Sequence, residues 1–135
     1  LLSFNYLEGG NQGAAWGIFS GKILMFVIIT IIAIVIISIF IRNITEIMCN
    51  EGKSATLMVL QYTFGMLMAG AVGNLIDRVV NGSVVDFICF EFINFPIFNV
   101  ADCYVTVSWV LIVVMCLLKL KEEDFNKIFT IKKNY

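Results

Sequence analysis

The sequence predicts an all-α, polytopic membrane protein, and three observations predict it. Of 135 residues, 60% are hydrophobic and only 14% charged. A single proline leaves little to interrupt helices. Three long apolar runs reach the roughly 20 residues that a helix needs to cross a bilayer. A soluble chain of this length rarely carries so much apolar surface, so residues 1–135 are read as a single membrane-embedded domain built as a helical bundle.

The spans follow in order. Residues 23–41 carry no charge and end at Arg42, and residues 56–76 end at Asp77 and Arg78. Residues 100–118 are charged only at Asp102 and give way to "KLKEED". The tail, 119–135, holds Lys119, Lys121, Lys127, Lys132 and Lys133, which places it in the cytoplasm by the excess of positive charge there. Threading back puts 79–99 outside, the loop 42–55 with Arg42 and Lys53 inside, and 1–21 outside. Neither outer segment has a lysine or arginine, so the assignment is self-consistent.

Composition also removes function classes. The chain has no histidine, which excludes His-based metal sites and Ser-His or Cys-His catalysis. Cys49, Cys89, Cys103 and Cys116 show no CxxC spacing and are read as small apolar residues rather than a zinc cluster or redox pair. A net charge of −1, without a basic stripe outside the tail, gives no nucleic-acid partner.

Three polar clusters fall on the outer side. "GGNQGAAWGIFSGK", residues 9–22, brings Asn11 and Gly13 close to the first span, with Trp16 as an interfacial anchor. "GMLMAGAVGNLIDR", residues 65–78, repeats small residues at Gly65, Ala69 and Gly73, which predicts a close helix–helix contact. The same helix carries Asn74, Asp77 and Arg78 at its outer end, with Asn74 and Arg78 on one face that Gly70 continues one turn down. In "VNGSVVDF", Asn81-Gly82 predicts a β-hairpin that turns Val84 and Asp86 to one face. "FPIFNVAD" then leads into the last span, with Asn99 and Asp102 three residues apart.

Two carboxylates at one interface suggest acid–base chemistry. Like-charge repulsion keeps one protonated while the other ionises, so one can polarise a peptide carbonyl as the other takes a proton from water. The competing reading is a non-enzymatic membrane protein, a transporter subunit or assembly factor whose interfacial carboxylates bind a cation. Location argues against transport, since no span carries a charge at its centre.

"NQGAAWG", "GAVGNLIDRVVNGSVVDF" and "FNVADCYVTVS" resemble, in order and spacing, the three signature blocks of bacterial lipoprotein signal peptidase, signal peptidase II. The resemblance covers roughly residues 4–118. It implies a four-helix aspartic endopeptidase of the bacterial cytoplasmic (inner) membrane, of which three helices are visible and the first is absent here. Such an enzyme removes signal peptides from diacylglyceryl-modified prolipoproteins without metal or cofactor. The resemblance implies Asp86 and Asp102 as the catalytic pair. Asn11, Asn74, Arg78 and Asn99 would shape the site and hold substrate backbone, with Asp77 as structural support beside Gly13 and Gly73. It also implies a small β-structured cradle on the outer face. Expected partners are the prolipoprotein substrate and membrane lipids, and the expected state is a monomer.

Overall fold

The computed structural model describes residues 2–5, 10–12 and 21–130. Gly13 and Trp16, singled out above, lie outside them, as does the tail from residue 131. Four helices, α1 (Ile23–Glu51), α2 (Ala55–Asn81), α3 (Val100–Leu118) and α4 (Glu122–Phe129), accompany two short strands, β1 (Leu2–Phe4) and β2 (Ile88–Phe90). The first three helices are long and apolar enough to cross a membrane. Their outward faces expose Leu24, Ile28, Ile32, Val59, Trp109 and Val113, the surface that a lipid-facing bundle requires.

All three expected spans are helices, and two of them run longer than the sequence suggested. At about 1.5 Å per residue, α1 is about 43 Å long, well beyond a hydrocarbon core of about 30 Å. The expected loop 42–55 is helix to Glu51, leaving residues 52–54 as the link. The reason lies in "RNITEIM": Ile44 and Ile47 are three apart, and both are buried. Gly52, at φ 96°, stops the helix.

The tail, read from the sequence only for its lysines, contains α4. Acidic residues fill its first turn and Lys127 sits in its last, as the helix dipole favours. Phe125, Ile128 and Phe129 lie on one face at helical spacing. Ile128 is fully buried, and Phe129 meets the Phe40 ring edge-on at 4.9 Å between centroids. Together with Phe64, Leu60 and Ile112, residues Ile128, Phe129 and Phe40 form the main core, at the end of the bundle that carries Lys53, Lys119 and Lys121.

Buried Asn43 of α1 ties α4 in place, its amide nitrogen donating to the carbonyls of Ile128 (2.8 Å) and Thr130 (3.3 Å). Asn43→Ala should cost about 1–3 kcal/mol by leaving the buried Ile128 carbonyl unpaired. Limited trypsin digestion in detergent is the check, with faster cutting at Lys127 expected. An unchanged digestion rate would mean that α4 is held by its apolar face alone.

At the other end, the expected Asn81-Gly82 hairpin does not form. Asn81 is the last residue of α2, and Gly82, at φ 68°, caps it by donating its N–H to the Arg78 carbonyl at 3.2 Å. The left-handed conformation that suits a hairpin turn suits a helix C-terminus equally well. A β element is nonetheless present, paired differently. β1 and β2 are antiparallel, with Ser3 opposite Cys89, and isolated bridges join Asn11 to Val84 and Ile88 to Phe98. Residues 84–90 therefore run between the N-terminal segment and Phe98. The expected alternation survives: Val84 and Asp86 are buried, while Val85 and Phe87 are only partly so.

Candidate active site

α2 and α3 bring the polar residues together because α2 can approach α3 closely where they meet. A β-carbon placed on Gly70 would lie 2.6 Å from the Ala101 carbonyl oxygen, and one on Gly73 would lie 3.3 Å from the Ala101 β-carbon. The expected contact through Gly65, Ala69 and Gly73 is thus corrected to Gly70 and Gly73. Gly65 and Ala69 are exposed, and nothing lies within 4 Å of a β-carbon on Gly65. Residues four apart drift around a helix, so a straight neighbour that meets Gly73 and Gly70 misses Gly65.

The start of α3 sets the orientation of the whole network. Asn99 is its N-cap: the Asn99 side-chain oxygen accepts from the Asp102 backbone N–H (3.0 Å), and Asp102 Oδ2 accepts from the Asn99 backbone N–H (3.1 Å). This reciprocal cap is a capping box with Asp in the third position. It fixes the Asn99 amide, whose Nδ2 must then face acceptors. It donates to Asp86 Oδ1 and to Asn74 Oδ1, both at 3.0 Å. With its oxygen turned to Asn99, Asn74 presents Nδ2 to Asp102 Oδ1 at 2.8 Å. The two carboxylates are therefore linked through Asn99 and Asn74, in a polarity dictated by a helix cap.

Asp86 comes from the extended segment after α2. Its Oδ2 accepts from Asn11 Nδ2 at 2.8 Å, and the main chain of Asn11 pairs with Val84 in both directions (2.8 and 2.9 Å). Asp77, at the end of α2, accepts the Val85 N–H at 3.1 Å and so anchors the same segment. Asp86 is 1% exposed. Burial pushes its carboxyl above the usual range; the amides of Asn11 and Asn99 and the Arg78 charge oppose this, and the Asp102 charge adds to it. Arg78 donates from Nη1 to the Asn74 carbonyl at 3.3 Å and stacks its guanidinium over the Phe26 ring, 5.1 Å from the centroid.

Six of the expected site residues, Asn11, Asn74, Arg78, Asp86, Asn99 and Asp102, thus converge at one end of the bundle. All but Asn99 line a cavity of about 450 Å³. Its other walls are Val84, Phe90, residues 95–98, Cys103, Thr106 and Val107. An apolar chamber with a few convergent polar groups is what binds and orients an amphiphilic ligand. The aromatic wall was not anticipated, although "FICFEFINFPIF" is the visible signal. There Phe90 contacts Phe95 (5.7 Å) and Phe98 (5.3 Å).

Comparison with known proteins gives a consistent set of relatives. A family model described as Signal peptidase (SPase) II matches residues 1–118. A lipoprotein signal peptidase of Staphylococcus haemolyticus is 45% identical over 117 residues, covering 85% of this chain and 68% of that protein. One from Staphylococcus aureus (strain bovine RF122 / ET3-1) is 42% identical over 115 residues, covering 84% and 65%. Two solved structures titled as a bacterial membrane enzyme superpose with a TM-score of 0.63. One is 39% identical over 87% of this chain and 66% of its own; the other is 38% identical over 89% and 71%. The chain spans about two thirds of the length of these relatives.

Proposed function

The chain belongs to the signal peptidase II family, and on that premise we propose that it is an aspartic endopeptidase. Its substrates are prolipoproteins bearing a diacylglyceryl-modified cysteine, from which it removes the signal peptide. The observation that carries the proposal is the joining of Asp86 and Asp102 through Asn99 and Asn74 at an apolar cavity.

In this reading the pair shares one proton, carried by Asp86, the more deeply buried of the two. Asp102 takes a proton from a water as that water attacks the scissile carbonyl carbon, and Asp86 gives its proton to the carbonyl oxygen. The resulting gem-diol collapses: the C–N bond breaks, the leaving nitrogen takes the proton from Asp102, and the new carboxyl returns one to Asp86. Arg78 supplies a fixed donor for substrate backbone carbonyls, and the Asn11 and Asn74 amides supply donors for the charge that develops. The cavity's aromatic and aliphatic wall takes the apolar residues of the signal peptide.

Cation binding fits this geometry less well. Each of the four carboxylate oxygens already accepts one N–H: from Asn99 and Asn11 on Asp86, from Asn74 and the Asn99 main chain on Asp102. Among the described residues no group of three or more acidic or cysteine side chains gathers to hold a metal ion.

We place the site on the outer face of the bacterial cytoplasmic membrane and the C-terminus in the cytoplasm. Lys53, Lys119, Lys121 and Lys127 lie at the end of the bundle opposite the carboxylates, which supports that orientation. Two measurements test the proposal. Purified protein in detergent should cut a diacylglyceryl-modified prolipoprotein and leave the unmodified form intact. In intact cells of a background lacking native cysteines, an impermeant thiol reagent should label Ser83→Cys and spare Lys121→Cys. The reverse labelling would put the site in the wrong compartment.

A further inference from the structure

Among the described residues, α1 contributes nothing to the wall of the active-site cavity, which is built from α2, α3 and the segments around them. α1 nevertheless reaches the site at one point. The ring of Phe26, in its first turn, lies under the Arg78 guanidinium at 5.1 Å. The main chain beneath that ring is held by helix bonds: the Phe26 carbonyl accepts from the Thr30 hydroxyl at 2.7 Å and its N–H reaches the Lys22 carbonyl at 3.3 Å. Arg78 lines both the active-site cavity and a second, apolar cavity of about 440 Å³ among α1, α2 and α3. Its side chain thus borders both the cavity that holds the carboxylates and the one that lacks them.

An arginine there has a strong competing option. Asp102, Asp86 and Asp77 all lie within its electrostatic reach. Swung onto Asp86, the guanidinium would favour the ionised carboxylate and strip the pair of its proton. An aromatic face attracts the cation through its quadrupole and adds no charge.

We propose that Phe26 is a positioning residue for the peptidase reaction, holding Arg78 over the cavity for substrate backbone and away from the carboxylate pair. The proposal rests on the peptidase reading above. Phe26→Leu should raise KM roughly tenfold, with kcat at its optimum pH little changed, because a contact made equally in ground and transition states has been loosened. The alkaline limb of the pH–rate profile should also move to lower pH, as Arg78 settles nearer Asp86.

The experiment replaces Phe26 in the full chain by 4-fluoro- and 3,4,5-trifluorophenylalanine, which weaken the ring's negative face while nearly keeping its shape. Phe26→Leu and Phe26→Trp are measured beside them. Expected are a stepwise rise in KM with fluorination, near-normal cleavage by Phe26→Trp, and an unchanged melting temperature across the fluorinated series. In an Arg78→Gln background, fluorination should have no effect. Should Phe26→Leu fail to fold, the fluorinated series still decides. A flat KM and pH profile across that series, with Asp86→Asn inactive, overturns the role of Phe26 and leaves the peptidase intact. Normal cleavage by Asp86→Asn overturns the peptidase reading itself.

Discussion

Asp86→Asn and Asp102→Asn should each abolish cleavage of a diacylglyceryl-modified prolipoprotein, a loss of roughly 1,000-fold or more in kcat. An amide keeps the size of the carboxyl but can neither take a proton from water nor lend one to a carbonyl. Since the two act as one unit, the double variant should be no slower than either single one. Asp77→Asn is the control: it retains an oxygen to accept the Val85 N–H, so cleavage should fall only modestly. Ordinary turnover by either of the two aspartate variants would sink the pair as the catalytic machinery.

The fold should tolerate Asp86→Asn, and the reason is a balance of two effects. In the folded protein the Asp86 carboxyl is held above its usual range, first of all by burial. A carboxyl raised in the folded state binds its proton more tightly there than when unfolded. Its contribution is therefore fully present at pH below the unfolded value and is lost as pH rises through the folded one. At neutral pH the wild type bears that loss and the amide does not. Against this, Asp86 accepts from both Asn11 and Asn99, and an amide offers only one oxygen. One misplaced N–H costs about 1–3 kcal/mol and works against the relief. Melting curves of wild type and Asp86→Asn should thus converge or cross between acid and neutral pH, with the variant gaining relative to wild type as pH rises.

How far this site could be read from the sequence depends on how local each signal is. Apolar runs and misplaced polar residues are local, so the three spans and the convergence of Asn11, Asn74, Arg78, Asp86, Asn99 and Asp102 were legible. Helix ends were less so, because Ile44 and Ile47 extend α1 only where α4 and α2 give them something to pack against. Asn81-Gly82 specifies a left-handed turn and nothing more; whether it closes a hairpin or caps a helix depends on the twenty-odd residues before it. The glycine stripe failed for a different reason. Spacing identifies small residues on α2, but which of them meets α3 is decided by where the helices cross, and that is not written in either helix alone.

That crossing yields the last expected result, a graded series along α2. Gly65→Ala should be neutral or slightly stabilising, since its β-carbon meets nothing within 4 Å and alanine favours helix. Gly73→Ala should cost little, because the 3.3 Å neighbour is the Ala101 methyl group. Gly70→Ala should be severe. Its β-carbon would sit 2.6 Å from the Ala101 carbonyl oxygen, 2.9 Å from Val105 Cγ2 and 3.1 Å from Tyr104 Cβ. The carbonyl belongs to helix backbone and cannot rotate aside, so α3 must move away by several tenths of an ångström to about 1 Å, at a cost of about 1–3 kcal/mol. Ala101 adjoins Asp102, and a shift of that size in one carboxylate costs on the order of 100-fold in rate. Gly70→Ala should therefore melt several degrees lower in detergent and cleave about 100-fold more slowly, with most of the loss in kcat. Wild-type melting and turnover in Gly70→Ala would mean that α2 and α3 do not approach each other there, and that Asp102 is held at Asn74 by something other than this contact.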